Sequence, residues 1–274
     1  MLRLFFIFSV LQHCDTVFIR QKVPNLAEHA MPFWSELTNE DFKKAARATE
    51  VVVMVTGALE AHGKHLPLGT DIILPTFLAG KIADNTKALV LPTIPFGESW
   101  DFNHIEGTIS IHPGALDDYY VSVLKGIFKH GFRFIVVLNG HGGNAAIIRQ
   151  AAKTATKKGE RVVIIVNWWR DLAKTARKLV EETPGGHAAE DETSEVMHVR
   201  PDLVDMKVAV AHRVETKFEI ISGSYRNELL PSAMYGDPRK ATEDKGRLIM
   251  DQAEEEIIEL INQLERGELP VEKS

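Results

Sequence analysis

The 274-residue sequence contains one cysteine, Cys14. That excludes an internal disulfide framework and a cysteine-based zinc site. Any metal would be held by His, Asp and Glu, a donor set that suits zinc, manganese or iron. Positive charge is not in excess: 32 Lys and Arg stand against 38 Asp and Glu, for a net charge of −6. With no basic patch, nucleic acid is not the expected partner. Long apolar runs are also missing. The stretch "LFFIFSVL", preceded by Arg3, is too short to cross a bilayer, and no small-residue cleavage site follows it. Residues 1–22 therefore read as an N-terminal extension, and the protein is expected to be cytoplasmic with no membrane partner. Two catalytic signatures are absent as well. There is no Gly-x-Ser-x-Gly elbow, and "NGHGGN" lacks the spacing of a phosphate-binding glycine loop.

What is present alternates between two periodicities. The run "EVVVMVTG" (50–57) has the continuous β-branched character of a strand buried on both faces. Residues 72–85 carry the periodicity of a helix, and "ALVLPTIPFG" (88–97) reads as a second strand. A helix is expected from Pro113 to a C-terminal stop at Gly131, followed by a strand in "FRFIVVLNG" (132–140). "NAAIIRQAAKTATKKG" (144–159) reads as a helix capped by Asn144, and "RVVIIVNWW" (161–169) as a strand. Helices follow over 170–182, 190–199 and, long and amphipathic, 241–267. Strand–helix alternation of this kind predicts an α/β fold with a mainly parallel sheet covered by helices on both faces. With no repeat or linker, residues 23–274 read as one domain.

In such sheets ligands bind beyond the carboxyl ends of the strands. Two strands end in loops rich in ligating side chains: "GALEAHGKHLPLGTD" (57–71), with Glu60, His62, His65 and Asp71, and "LNGHGGN" (138–144), with His141. A third polar stretch, "GGHAAEDETS" (185–194), offers His187, Glu190 and Glu192. Glu60 and His62, two apart, point the same way if the segment is extended. Asp71 has the bland alternative of a helix N-cap, and Glu190 and Glu192 that of an acidic helix start. His65 reads as a structural hydrogen-bonding residue. The glycines around His141 allow a sharp turn and close approach of a substrate.

Taken together, "GALEAHGKHLPLGTD", "GTISIHP", "LNGHGGN", "GGHAAEDETSEVMHVRPDLVD" and "GDPRKATEDKG", in this order, resemble the creatininase family. The resemblance implies a three-layer α/β/α fold, a site for two divalent ions (zinc, manganese or iron) and a homo-oligomer, often a hexamer. It implies that Glu60 and His141 bind one ion, that His62 binds the other and that Asp71 bridges them. Creatininase itself has a further ligating carboxylate two residues after the "NGH" histidine, where this chain has Gly143. Glu190 is expected to replace it, with Glu192 as the other candidate. On a helix the two point about 200° apart, so only one can face the metals. His187 matches the family's catalytic histidine, with Glu192 beside it.

The implied chemistry is attack of a metal-bridging hydroxide on the carbonyl of a small, cyclic amide or related molecule, with His187 moving the proton. The tryptophan that true creatininases carry just before the catalytic histidine is absent from "EETPGGH", which argues against creatinine, although Trp168 and Trp169 match another. The segment 99–108 is expected to line the pocket. Two alternatives stand beside the amide reading: a carbon–carbon bond hydrolase opening a cyclic keto-inositol, and a non-catalytic metal-binding member of the family.

Overall fold

A computed structural model describes residues 33–157 and 159–271. The extension read over 1–22, with Cys14, lies outside the described residues. Four strands, β1 (Val51–Thr56), β2 (Leu89–Val90), β3 (Phe134–Asn139) and β4 (Val162–Asn167), form one sheet in the order β2-β1-β3-β4. Every pairing is parallel, with Thr56 opposite Asn139 and Asn139 opposite Asn167 at the carboxyl edge. Alternate residues of each strand enter two separate cores. Val51, Val53 and Val55 pack with Leu74, Leu78 and Ile82 of α2 (Thr70–Asn85) and Ile249, Ile257 and Ile261 of a long C-terminal helix. Val52 and Met54 pack on the other face with Leu116, Tyr120 and Leu124 of α3 (Pro113–Lys129) and Ile148 of α4 (Ala145–Ala155). The result is helix layer, sheet, helix layer.

Local chemistry explains several element ends. A short α1 (Asn39–Ala45) starts where the Thr38 hydroxyl accepts the Asp41 N–H at 3.2 Å. Pro113 opens α3, and Gly131 follows its end at φ +94°, a conformation glycine adopts without strain. After β4 come α5 (Trp168–Asp171), α6 (Lys174–Val180), α7 (Glu190–Val199), α8 (Arg226–Leu229) and α9 (Glu243–Glu265). Among the described residues no helix is long and apolar enough to cross a membrane.

The structure departs from the expected elements in three places. The strand expected over 88–97 keeps only two residues in regular pairing, because Pro92 and Pro95 have no N–H to donate. Leu91 and Ile94 still donate to Val53 and Val55, both at 2.9 Å. The helix expected over 170–182 is broken at Ala173, which takes φ +54°. Asn144 does not cap α4; its amide reaches instead to the Glu98 N–H (3.0 Å) and the Gly57 carbonyl (3.0 Å), tying three loops together.

The carboxyl edge is built around close backbone contact. Thr56 Oγ1 donates to Asn139 Oδ1 (3.0 Å), and Asn139 Nδ2 donates to Asn167 Oδ1 (2.9 Å) and to the His141 carbonyl (2.8 Å). A Cβ on Gly140 would lie 2.4 Å from the Asp71 carbonyl and 2.6 Å from Pro75 Cγ. The neighbour is backbone and cannot yield cheaply. Gly140→Ala should therefore destabilise the fold by about 1–3 kcal/mol, the usual range for overpacking, read as a lower urea midpoint at unchanged m-value.

Candidate metal centre

The loop leaving β1 carries Glu60 and His62, which are buried to 1% and 0% exposure. His62 Nδ1 faces the Glu60 carbonyl at 3.1 Å. A carbonyl only accepts, so Nδ1 carries the hydrogen and Nε2 is left for other partners. Nε2 points at Asp71 Oδ1 (3.1 Å), with Glu192 Oε2 4.0 Å away. Asp71, in the first turn of α2, gives its other oxygen to His141 Nδ1 at 2.8 Å. The His141 ring is oriented in the same manner as His62: its Nε2 donates to the Glu98 carbonyl at 2.5 Å. Glu60 Oε1 lies 3.4 Å from His141 Nδ1 and 3.8 Å from His187 Nδ1, and Glu60 Oε2 is buried without a hydrogen-bond partner.

Among the described residues, three sets each bring their donor atoms within 4.8 Å of one another: Glu60, Asp71 and His141; His62, Asp71 and Glu192; and Glu60, His62 and His187. Buried carboxylates converging on oriented imidazoles, with one carboxylate oxygen unpartnered, fit divalent cations. His187 sits at the edge of this group. Its Nε2 donates to the Ala61 carbonyl (2.9 Å), and its ring lies 4.1 Å from His62 and stacks at 4.4 Å on Phe102.

Glu190 is not brought to this group. Its carboxylate accepts from Lys245 Nζ (2.6 Å), the Thr183 N–H (2.7 Å) and the Thr183 hydroxyl (2.6 Å). The helical geometry that allows only one of the two glutamates to face the site turns Glu192 inward and Glu190 toward α9. Of the two glutamates it is Glu192, not Glu190, whose carboxylate lies with His62 and Asp71, and its Oε2 also accepts the Ala188 N–H at 2.6 Å. His65 bonds Thr193 Oγ1 at 2.9 Å, apart from the three sets. Trp168 is a buried core residue. Of the segment 99–108, Phe102 touches His187, while Trp100 and Asp101 line a cavity of about 610 Å³ with Arg213, Leu230 and Tyr235. Phe102 falls within the segment expected to line the pocket, whereas sequence reasoning missed the Glu98 carbonyl because no side-chain signal marks a backbone acceptor.

A model of the creatininase family, described as creatinine amidohydrolase, matches residues 35–261. The chain belongs to the creatininase family. It is 27% identical over 240 residues to creatinine amidohydrolase of Pseudomonas putida, covering 80% of this chain and 92% of that one. It is 29% identical over 187 residues to 3-dehydro-scyllo-inosose hydrolase of Thermotoga maritima, covering 65% and 59% of the two chains. A crystal structure of creatininase superposes with a TM-score of 0.78 at 25% identity, covering 87% of this chain and 99% of that one. The protein is thus a hydrolase of the creatininase family. Position 143, where the resemblance implies a further carboxylate, is closed here: a Cβ on Gly143 would lie 2.0 Å from the Glu98 carbonyl and 2.7 Å from His141 Nε2.

The charges in the site are strongly displaced. Burial alone would depress His62, but the Asp71 carboxylate outweighs it and pushes the imidazole up to about 10. Burial likewise opposes protonation of His141, and Glu60 with Asp71 raises it to about 9. Burial favours a protonated Asp71, but the His62 and His141 imidazoles hold it well below the usual carboxylate range. His187 goes the other way, down to about 4, through burial and the neighbouring His62. Burial raises Glu192, opposed by His62.

Without metal, His62 and His141 therefore hold protons at pH 7. The stability these protons confer is complete below the ordinary imidazole value near 6.5 and is lost as pH climbs through about 9 and 10. Ligation requires the free imidazole, so metal binding releases those protons and tightens as pH rises. Calorimetric titration with manganese at pH 7, in buffers of different ionisation enthalpy, should show proton release on binding. Binding heats that are identical across buffers would contradict this charge arrangement.

Proposed function

We propose that the protein is a dinuclear-metal hydrolase that cleaves a carbonyl-containing bond in a small, cyclic amide or related substrate. The observation that carries this reading is Asp71, with one oxygen on His62 and the other on His141. Glu60, Asp71 and His141 would hold one ion, and His62, Asp71 and Glu192 the other. Zinc, manganese or iron bound there would acidify water and polarise a carbonyl. Solved creatininases that include a manganese form and a Zn–Zn form support this choice of metals.

The chain's own residues divide the remaining work. Nε2–H of His187 is fixed on the Ala61 carbonyl, so Nδ1 carries the free lone pair on the side of Glu60. Kept neutral by its surroundings, His187 can accept a proton at Nδ1 and return it to the leaving group. Phe102, stacked on the same ring, excludes water from one face. The Ala188 N–H holds one oxygen of Glu192 and so fixes its direction. We read residues 23–274 as one hydrolase unit that acts in the cytoplasm as a homo-oligomer. Exposed Phe218 and Ile221, at 72% and 76%, support burial against a second copy.

Elemental analysis tests the ligand assignment. The purified protein should carry close to two divalent ions per chain, as the shared Asp71 implies. Glu192→Gln should lose or weaken one of them, whereas Glu190→Gln should keep both; the opposite pattern would restore Glu190 as the ligand. Turnover tests the chemistry, using a panel of cyclic amides and cyclic diketones with the metal-loaded enzyme. His187→Ala should keep fold and metal yet lose turnover by on the order of 10²–10⁴-fold. Opening of the diketones alone would transfer the activity to carbon–carbon bond hydrolysis, and bound metal with no turnover on the whole panel would favour a non-catalytic role.

A further inference from the structure

The first turn of α7 begins with three consecutive carboxylates that take three directions. Glu192 faces His62, Asp191 pairs with Arg177 Nη1 at 3.3 Å, and Glu190 turns to Lys245. Glu190 is 1% exposed and has far more partners than an acidic residue at a helix start needs for the macrodipole. Its oxygens take the backbone N–H of Glu182 (3.1 Å), the N–H and hydroxyl of Thr183 (2.7 and 2.6 Å) and Lys245 Nζ (2.6 Å). Lys245 in turn reaches the Glu182 carboxylate at 2.7 Å and the Lys240 carbonyl at 3.0 Å.

These contacts close residues 182–190 into a ring, and His187 lies inside it. The ring holds unfavourable backbone: Ala188 takes φ +54° without glycine's freedom. A Cβ on Gly186 would lie 1.8 Å from the Tyr235 carbonyl, so the chain passes hard against its neighbour there. His187 pairs through its own N–H and carbonyl with Tyr235, at 2.8 and 3.0 Å. Lys245 reaches the ring because α9 meets α7 backbone to backbone: a Cβ on Gly246 would lie 1.9 Å from the Ser194 carbonyl. Ser194 Oγ completes the junction, donating to the Glu190 carbonyl (2.6 Å) and accepting the Thr242 N–H (3.1 Å).

We propose that the Glu190–Lys245 pair is a positioning device. By closing the 182–190 ring it sets the His187 imidazole against His62 and aims Glu192 from the next half-turn of the helix. Glu190 and Lys245 act through His187 and Glu192, and the inference rests on the roles given to those two residues above.

The test uses the full-length, metal-loaded protein with Lys245→Met, Glu190→Gln and the conservative Lys245→Arg. On the best substrate of the panel, Lys245→Met and Glu190→Gln should keep their metal and KM while kcat falls on the order of 10- to 100-fold, the penalty of a misplaced catalytic group. Lys245→Arg should recover most of that loss. Unchanged kcat with only a lower Tm would reduce the pair to a structural role and overturn the proposal, as would loss of an ion in Glu190→Gln. A second arm needs no turnover and serves if one variant folds poorly. In long-range 1H–15N spectra of the imidazoles, the His187 signals, identified by their absence in His187→Gln, should shift in Lys245→Arg and more so in Lys245→Met, while those of His65 hold still. Unmoved His187 signals would overturn the proposal. A wild type without turnover would sink the hydrolase reading alone, because the imidazole spectra would still decide whether the ring positions His187.

Discussion

Asp71 gives one carboxylate oxygen to His62 and the other to His141, and the surrounding structure is arranged so that it can. The two imidazoles come from loops after different strands, β1 and β3, while Asp71 comes from the helix that follows the first loop. They meet because β1 and β3 are adjacent, parallel and end in register at Thr56 and Asn139. Glycines at 57 and 140 then let both loops run against the Asp71 backbone, where a Cβ on either would come within 2.3 or 2.4 Å of its carbonyl. The parallel sheet, the short strands and the glycine pair are parts of one constraint, which is to bring a single carboxylate between two buried rings.

Burying that much charge requires compensation behind the site. On the far side of α7, Arg177 lies among Glu195 (2.8 Å), Asp191 (3.3 Å) and Glu181 (3.7 Å). One guanidinium cannot neutralise three carboxylates, and protonation of Glu195 relieves part of the excess. Burial pushes Glu195 up to about 8 against the pull of Arg177, and burial with the nearby Glu192 pushes Asp191 to about 6. Glu195 therefore holds a proton at neutral pH, which removes one of the three negative charges beside Arg177. The same helix thus turns Glu192 toward His62 and turns Asp191 and Glu195 toward a buried guanidinium.

The sheet and the site loops were legible in the sequence for a physical reason. Strands buried on both faces leave continuous β-branched runs, and "VVVMVT" and "FIVVLN" are such runs followed at once by ligating side chains. The bounds of α7 were legible too, since its acidic start and valine end bracket the periodic segment. What stayed hidden depends on distant partners. Nothing in "HAAEDETS" says that a lysine 55 residues beyond Glu190 will take its carboxylate and leave the site to Glu192. Asn144 looked like a cap because its competing partners, Glu98 and Gly57, lie on other loops. The break at Ala173 has no glycine or proline to announce it; its N–H is held by Glu256 of α9 at 2.8 Å.

Gly143 ties the ligand set to the substrate pocket. The segment 97–99 runs so close to it that the Glu98 carbonyl occupies the space a side chain there would need, while the same carbonyl orients His141. A carboxylate at position 143 and this path of the chain are mutually exclusive. With the position empty, the strap can lie against the "NGHGGN" loop, held by Asn144 and by Ser110 Oγ, which accepts the Ser99 N–H at 2.9 Å. Lying there, it carries Trp100 to the cavity wall and Phe102 onto His187. Glu192 of α7 approaches His62 and Asp71 from the other side. The same path of the chain past Gly143 thus also shapes the wall of the cavity. The absence of a side chain at 143 and the shape of the cavity wall are, in this chain, two sides of one packing constraint.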